Sequence, residues 1–145
     1  MEAVLLSLHS KWVKKIINGE KIYEVRKRAP ICSFPFKVYI YCTKKCDEQY
    51  LAGITGKRKC YKLNGTVCGE FTCKQIFYVF PPYKDKTHGT CLTAKELYEY
   101  DGGSGKLNYL EISNPVLYDV PKSLSDFGME RPPQSWMYCK ELCDE

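Results

Sequence analysis

The chain opens on an unbroken apolar run, Val4 to Leu8, that is too short for a helix and reads as a buried strand. Ser10 follows as a candidate N-cap for a helix that carries Trp12, Val13, Ile16 and Ile17 on one stripe and Lys11, Lys14 and Lys15 on the other side, ended by Asn18 and Gly19. From Glu20 to Arg28 the residues alternate: Ile22, Glu24 and Arg26 fall on one face of an extended segment, Tyr23, Val25 and Lys27 on the other. Neither face is a clean apolar surface, which fits the wall of a site or an edge strand blunted by charge.

Further on, KVYIYC (37–42), TVCGEFTC (66–73) and QIFYVF (75–80) read as three strands. Leu92, Thr93, Glu96 and Leu97 have the spacing of a capping box with a hydrophobic staple, so a helix is expected from Ala94 to about Tyr100, stopped by the glycine turn DGGSG. Leu107–Ile112 and Val116–Val120 read as two strands separated by Asn114 and Pro115, and PPQSWMYC closes the pattern before an acidic tail. About seven short strands with two or three short helices predict one α+β domain over residues 1–145, with a sheet that curls into a barrel. No internal repeat or linker interrupts it.

Composition changes this picture little, since 44% hydrophobic and 27% charged residues are ordinary for a globular protein. Twelve Tyr favour strands and stacking surfaces. No run approaches the ~20 apolar residues needed to span a bilayer, and no signal peptide is visible, so a cytoplasmic protein that does not use the membrane is expected. Nine cysteines then read as thiols rather than as a disulfide framework. The nearest approach to zinc knuckles, Cys42/Cys46 and Cys139/Cys143, has the wrong spacing, and His9 and His88 have no ligand partners in sequence. No metal or cofactor is expected.

Charge is more telling. The net charge is +5, but residues 1–74 hold 15 Lys/Arg against 6 Asp/Glu while residues 75–145 hold 7 against 11. A basic half suits a polyanion, and GKRKCYKLNG from Gly56 mixes Lys57, Arg58, Lys59 and Lys62 with Tyr61, as a loop that tracks phosphates would, or as a solvated hairpin tip would.

Gly19, Lys21, Glu24 and Arg26 spell GxKxxExR directly after the first helix, and this motif resembles the signature of ASCH domains. The order of LLSLHSKWVKKIINGEKIYEVRKRAP, KVYIYC, TVCGEFTC and RPPQSWMYC is similar to that of small bacterial and phage members, over about residues 4 to 140. The resemblance implies a PUA-like mixed β-barrel of six to seven strands with a basic cleft that binds RNA or a nucleoside. One branch of the family resembles amidohydrolases that remove an acyl group from a modified cytidine with a Lys base, a Thr nucleophile and an acidic residue; another is linked to RNA cleavage. Lys21 matches the lysine, but Glu24 stands where that branch has its threonine, and a carboxylate attacking an acyl group would form a mixed anhydride, a different intermediate. The acyl-transfer activity is therefore not carried over. Glu70 of GEF and Glu96 are the candidates for the acidic residue.

The candidate binding residues are thus Lys21, Glu24 and Arg26, with Arg28, Tyr23, Ser135 and Trp136 as flanking contacts and Trp12 as a further ring that suits core packing better. Lys21, Glu24 and Glu70 are the candidate catalytic groups. Binding of RNA or a nucleoside is the first expectation, a hydrolase acting on a modified nucleoside or on RNA the second, and a module that docks a host protein the third.

Overall fold

Strand β1, Glu2–Leu8, has both faces covered, which is why its apolar residues run on instead of alternating. A computed structural model of the chain describes residues 2–43 and 63–142. Within them β1 lies between β3 (Phe36–Cys42), to which it is parallel with Val4 opposite Val38, and the antiparallel β6 (Trp136–Lys140), with Val4 opposite Tyr138. Helix α1 (Ser10–Ile17) buries Val13 and Ile16 against this layer, in one cluster with Leu6, Val38, Phe71 and Leu110. Its N-cap is His9, not Ser10: the extended His9 accepts the Lys11 N–H on Nδ1 at 3.1 Å, so Ser10 is drawn into the first turn and buried. An imidazole nitrogen supplies the acceptor that a hydroxyl was expected to supply.

Four expected strands merge into two. β4 (Thr66–Val79) and β5 (Leu107–Lys122) run the length of the molecule side by side. Asn114 and Pro115 do not break β5, because Glu70 pairs with Val116 and Thr72 with Ser113, which leaves the two residues together opposite Phe71 as a bulge. Asn114 takes the left-handed conformation this needs (φ +50°), and a proline in a bulge removes no ladder hydrogen bond. At Gly69 a Cβ would lie 2.3 Å from the Val116 carbonyl oxygen, so the same crossing admits no side chain.

β2 (Tyr23–Arg26) pairs with β5 alone, and the full order is β2-β5-β4-β3-β1-β6, a six-stranded mixed sheet in an α+β fold. The strand count agrees with expectation, but the backbone ladder is open: β2 and β6 are its two edges. Side chains bridge the gap, since Arg26 on β2 donates to Ser135 Oγ (2.9 Å) and to the Ser7 carbonyl (3.1 Å), and the Trp136 indole donates to the Arg28 carbonyl (2.9 Å).

Helix α2 (Ala94–Asp101) has the expected box, with Thr93 Oγ1 accepting from Glu96 N and Glu96 accepting from Thr93 N. Leu92 and Leu97 pack into a cluster with Val25, Tyr83, Leu107 and Tyr109. No helix among the described residues is long and apolar enough to cross a membrane. The lysine-rich stretch from Lys57 to Lys62, and Cys46, Cys60 and Cys143, lie outside the described residues; the six described cysteines form no disulfide with one another.

Candidate functional site

The turn between α1 and β2 aims the motif inward. Gly19 adopts φ +86°, the Lys21 N–H bonds the Lys15 carbonyl at 2.9 Å, and Glu20 is pinned outside by Asn18 (2.8 Å) and Lys15 (3.4 Å). Reversal within three residues leaves Lys21 facing the protein. It is 3% exposed, its ammonium donates to the Thr90 carbonyl at 2.6 Å, and it stands 5.0 Å from the centre of the Trp12 ring. Burial lowers its pKa from the ordinary lysine value, while the Glu24 carboxylate works in the opposite direction.

Glu24 and Arg26 share one face of β2, as alternation requires. Arg26 Nε donates to Glu24 Oε1 at 3.3 Å, and with its bonds to Ser135 and Ser7 three of its five donors are used inside the protein. Arg26 therefore acts as a brace that orients Glu24 and ties β2 to β1. Glu24 is 6% exposed, and its second oxygen, Oε2, is buried with no hydrogen-bond partner. An unsatisfied buried carboxylate oxygen costs on the order of 1–3 kcal/mol or more, so its presence beside a cavity is informative.

That cavity is a cleft of ≈ 600 Å³ between the end of β1, helix α1, strand β2 and helix α2. Lys21, Glu24 and Arg26 all line it, together with His9, Trp12 and Tyr100. The three motif residues therefore converge on one concavity, and Ser135 joins them through Arg26. Glu96 also reaches the lining, with one carboxylate oxygen engaged in the cap of α2, whose hydrogen bonds from Thr93 hold its pKa below the ordinary glutamate value.

The other expected contacts lie elsewhere. Tyr23 points to the opposite side of β2 and packs on Phe77 and Tyr109. Trp136 is buried, with the Arg28 guanidinium 4.2 Å over its ring and Tyr138 edge-on at 5.0 Å, so neither Trp136 nor Arg28 is among the residues that line the cleft. Glu70 is part of a separate group in which Lys37 (3.0 Å) and the Tyr118 hydroxyl (2.8 Å) occupy its two oxygens. Sequence reasoning does not reach Tyr100 and Glu99 on α2, or His9 as a wall residue. The stop of α2 is visible in the sequence, but which of its faces meets β2 depends on the long loop before it.

The expected basic cleft needs correction. Among the described residues that line it, Glu24, Glu96 and Glu99 accompany Lys21 and Arg26. Glu96 and Glu99 come from α2, in the negatively charged half of the chain, which folds back over the basic half. Among the described residues, no group of three His, Cys, Asp or Glu side chains is placed to hold a metal ion.

The fold has solved counterparts. The ASCH protein of Zymomonas mobilis matches with a TM-score of 0.70 over 96% of this chain and 88% of its own length, at 18% sequence identity. A tyrosine-to-phenylalanine variant and a serine-to-alanine variant of the same protein match with the same TM-score and identity, over 91% and 89% of their lengths. No family model and no curated protein matches the sequence. The chain thus has the fold of an ASCH domain, and the resemblance carried by the GxKxxExR motif holds at the level of the fold.

Proposed function

We propose that the chain binds RNA, or a free nucleoside, by taking one unpaired base into the cleft of Lys21, Glu24 and Arg26. The ASCH fold is generally associated with RNA binding, and in this reading the open sheet is a PUA-like barrel whose last seam is made by the side chains of Arg26, Ser135 and Trp136. The observation that carries the proposal is the orphaned Glu24 Oε2. Only a donor can satisfy it, and the exocyclic amines of cytosine, adenine and guanine are donors on a flat molecule. Lys21 keeps N–H groups beyond the one given to Thr90 for a carbonyl oxygen or ring nitrogen on the same base. Trp12 and Tyr100 supply aromatic walls, and the volume is ample for a nucleoside. The mixed charge of the lining suits a base better than a row of phosphates. Ligands of this kind fit a protein that works in the cytoplasm.

Calorimetry with cytidine, adenosine, guanosine, uridine and a short single-stranded RNA tests this. Wild type should favour the amine-bearing bases over uridine. In Glu24→Gln, the Arg26 Nε–H holds the amide oxygen where Oε1 was and turns the amide NH₂ to the place of Oε2, so the preference should swing towards uridine, whose O4 accepts. No heat and no shift in melting temperature with any nucleoside or with RNA at low salt would overturn the reading.

One observation favours a second reading, a hydrolase acting on a modified nucleoside or on RNA: the buried Lys21, whose lowered pKa raises the fraction of neutral amine available as a general base. Chromatography of acylated cytidines and single-stranded RNA after incubation with the protein decides it. Product that disappears in Lys21→Ala would establish turnover, and absence of product at high protein concentration would leave binding alone.

A further inference from the structure

We propose that the sheet carries a second nucleic-acid surface on the other side of β2, a groove that stacks unpaired nucleotides of the strand whose base occupies the cleft; this rests on the base-binding reading above. The groove has a volume of ≈ 390 Å³ and is lined by Tyr23, Phe77, Tyr78, Phe80, Lys86 and Tyr109. Strand β4 is divided in its behaviour. From Val67 to Cys73 it supplies core residues, whereas beyond Lys74 the chain leaves Phe77 40% and Phe80 56% exposed. Large rings left to water on the face of a sheet cost stability that a ligand recovers.

The rings are already arranged. Tyr23 sits edge-on to Phe77 at 6.0 Å and tilted to Tyr109 at 5.9 Å. The Tyr109 hydroxyl donates to the Lys86 carbonyl (2.8 Å), Lys86 N–H donates to the Tyr83 carbonyl (3.0 Å), and the Lys86 ammonium donates to the Phe80 carbonyl (2.7 Å). A platform held in this way loses little further freedom when a base stacks on it.

Charge identifies the occupant. Lys86 lines the groove and the Lys106 ammonium lies 4.7 Å over Tyr78, while Lys74 and Lys84 are exposed on the stretches that carry the rings and Lys86; the acids in the same stretches are Asp85 and a Glu111 engaged by Gln75 at 2.9 Å. Aromatic faces interleaved with cations fit single-stranded nucleic acid, whose bases stack while its phosphates meet lysines. A second copy of the chain would set lysines against lysines. The groove also adjoins the cleft: the Ile22 and Tyr23 N–H groups both bond the Gly89 carbonyl, the Lys21 ammonium bonds the next carbonyl, Thr90, and the alternation of β2 puts Tyr23 in the groove and Glu24 in the cleft. A strand leaving the cleft has only this wall to cross.

The test compares free nucleosides with a fluorescein-labelled single-stranded octaribonucleotide of mixed sequence, by anisotropy. The double variant Phe77→Ala, Phe80→Ala should bind nucleoside as wild type does and octamer about tenfold more weakly. Lys84→Glu with Lys106→Glu, both at exposed positions, should make the salt dependence of octamer binding shallower by about 1.4 in log–log slope, about 0.7 for each phosphate no longer neutralised. Octamer affinity unchanged in both variants while nucleoside still binds would overturn the groove and leave the cleft standing. Octamer binding that fails in the aromatic variant, in a protein that takes no nucleoside, would support the groove and sink the cleft. Sedimentation in which the aromatic variant loses self-association with unchanged RNA affinity would assign the patch to contact between copies and overturn the proposal.

Discussion

Glu24 and Glu70 are both carboxylates on strands beside a basic residue, and the protein completes only one of them. Glu70 has Lys37 on one oxygen and the Tyr118 hydroxyl on the other, a closed group that asks for nothing more. Glu24 has Arg26 on one oxygen and nothing on the other, although it is the more deeply buried of the two, with 7% of its side chain exposed against 23%. A satisfied ion pair at the surface is a structural tie of small worth, whereas a half-satisfied one at a cavity wall stores a binding preference. Each sits in a motif, GxKxxExR or GEF, that reads as chemistry in one dimension, so satisfaction of the oxygens separates them where residue type does not.

The largest break in this comparison comes from removing the brace. Arg26→Met leaves a buried carboxylate without its cation and Ser135 and the Ser7 carbonyl without their donor, and should cost about 3–5 kcal/mol in urea unfolding. A loss below ~1 kcal/mol would mean that the pair contributes little and that Glu24 is held by other contacts. Next in size is the loss on the closed side. Glu70→Gln should cost only about 0.5–1.5 kcal/mol and leave nucleoside and RNA affinity unchanged, while Glu24→Gln alters the choice of base with little change in stability. If Glu70→Gln weakened binding as much as Glu24→Gln, the division into structural tie and binding group would fail.

The smallest effect is a slope. Burial lowers the pKa of Lys21 beneath its unfolded value of 10.5. Below the lowered value both states hold the proton and this group adds no pH dependence. Between that value and 10.5 the unfolded chain holds a proton that the folded chain has released, so stability rises with pH across this alkaline window. Lys21→Met removes the slope. Wild type should therefore gain on the variant as the pH rises towards 10.5 in parallel denaturation curves, and a wild type that loses ground on that alkaline approach would show that Glu24, not burial, governs the lysine.

Local devices are legible because they are complete within a few residues. The Thr93–Glu96 box, the alternation that puts Glu24 and Arg26 on one face, and the glycine that turns the chain at residue 19 all depend on neighbours in sequence. The cap of α1 defeats the same logic because Ser10 is the stronger capping type, yet His9 is the residue left extended when the chain leaves β1. Asn114 and Pro115 resemble a break for an equally local reason: only the presence of Phe71 on the adjacent strand turns two awkward residues into a bulge. Trp136 and Arg28, expected to meet a ligand, meet each other instead, since a cation and an indole from distant segments satisfy one another once the sheet edges approach.

By itself the chain determined which segments are extended and which helical, the inward turn at Gly19 and the grouping of Lys21, Glu24 and Arg26, because backbone preference and side-chain periodicity act over a turn or a pleat. Only the tertiary structure decided that α2 lends acidic residues to the cleft, that Glu70 is satisfied and Glu24 is not, and that aromatic residues of β4 lie open beside lysines. Those outcomes depend on which segments approach from far along the chain, and burial, desolvation and hydrogen-bond completion have no value until they do.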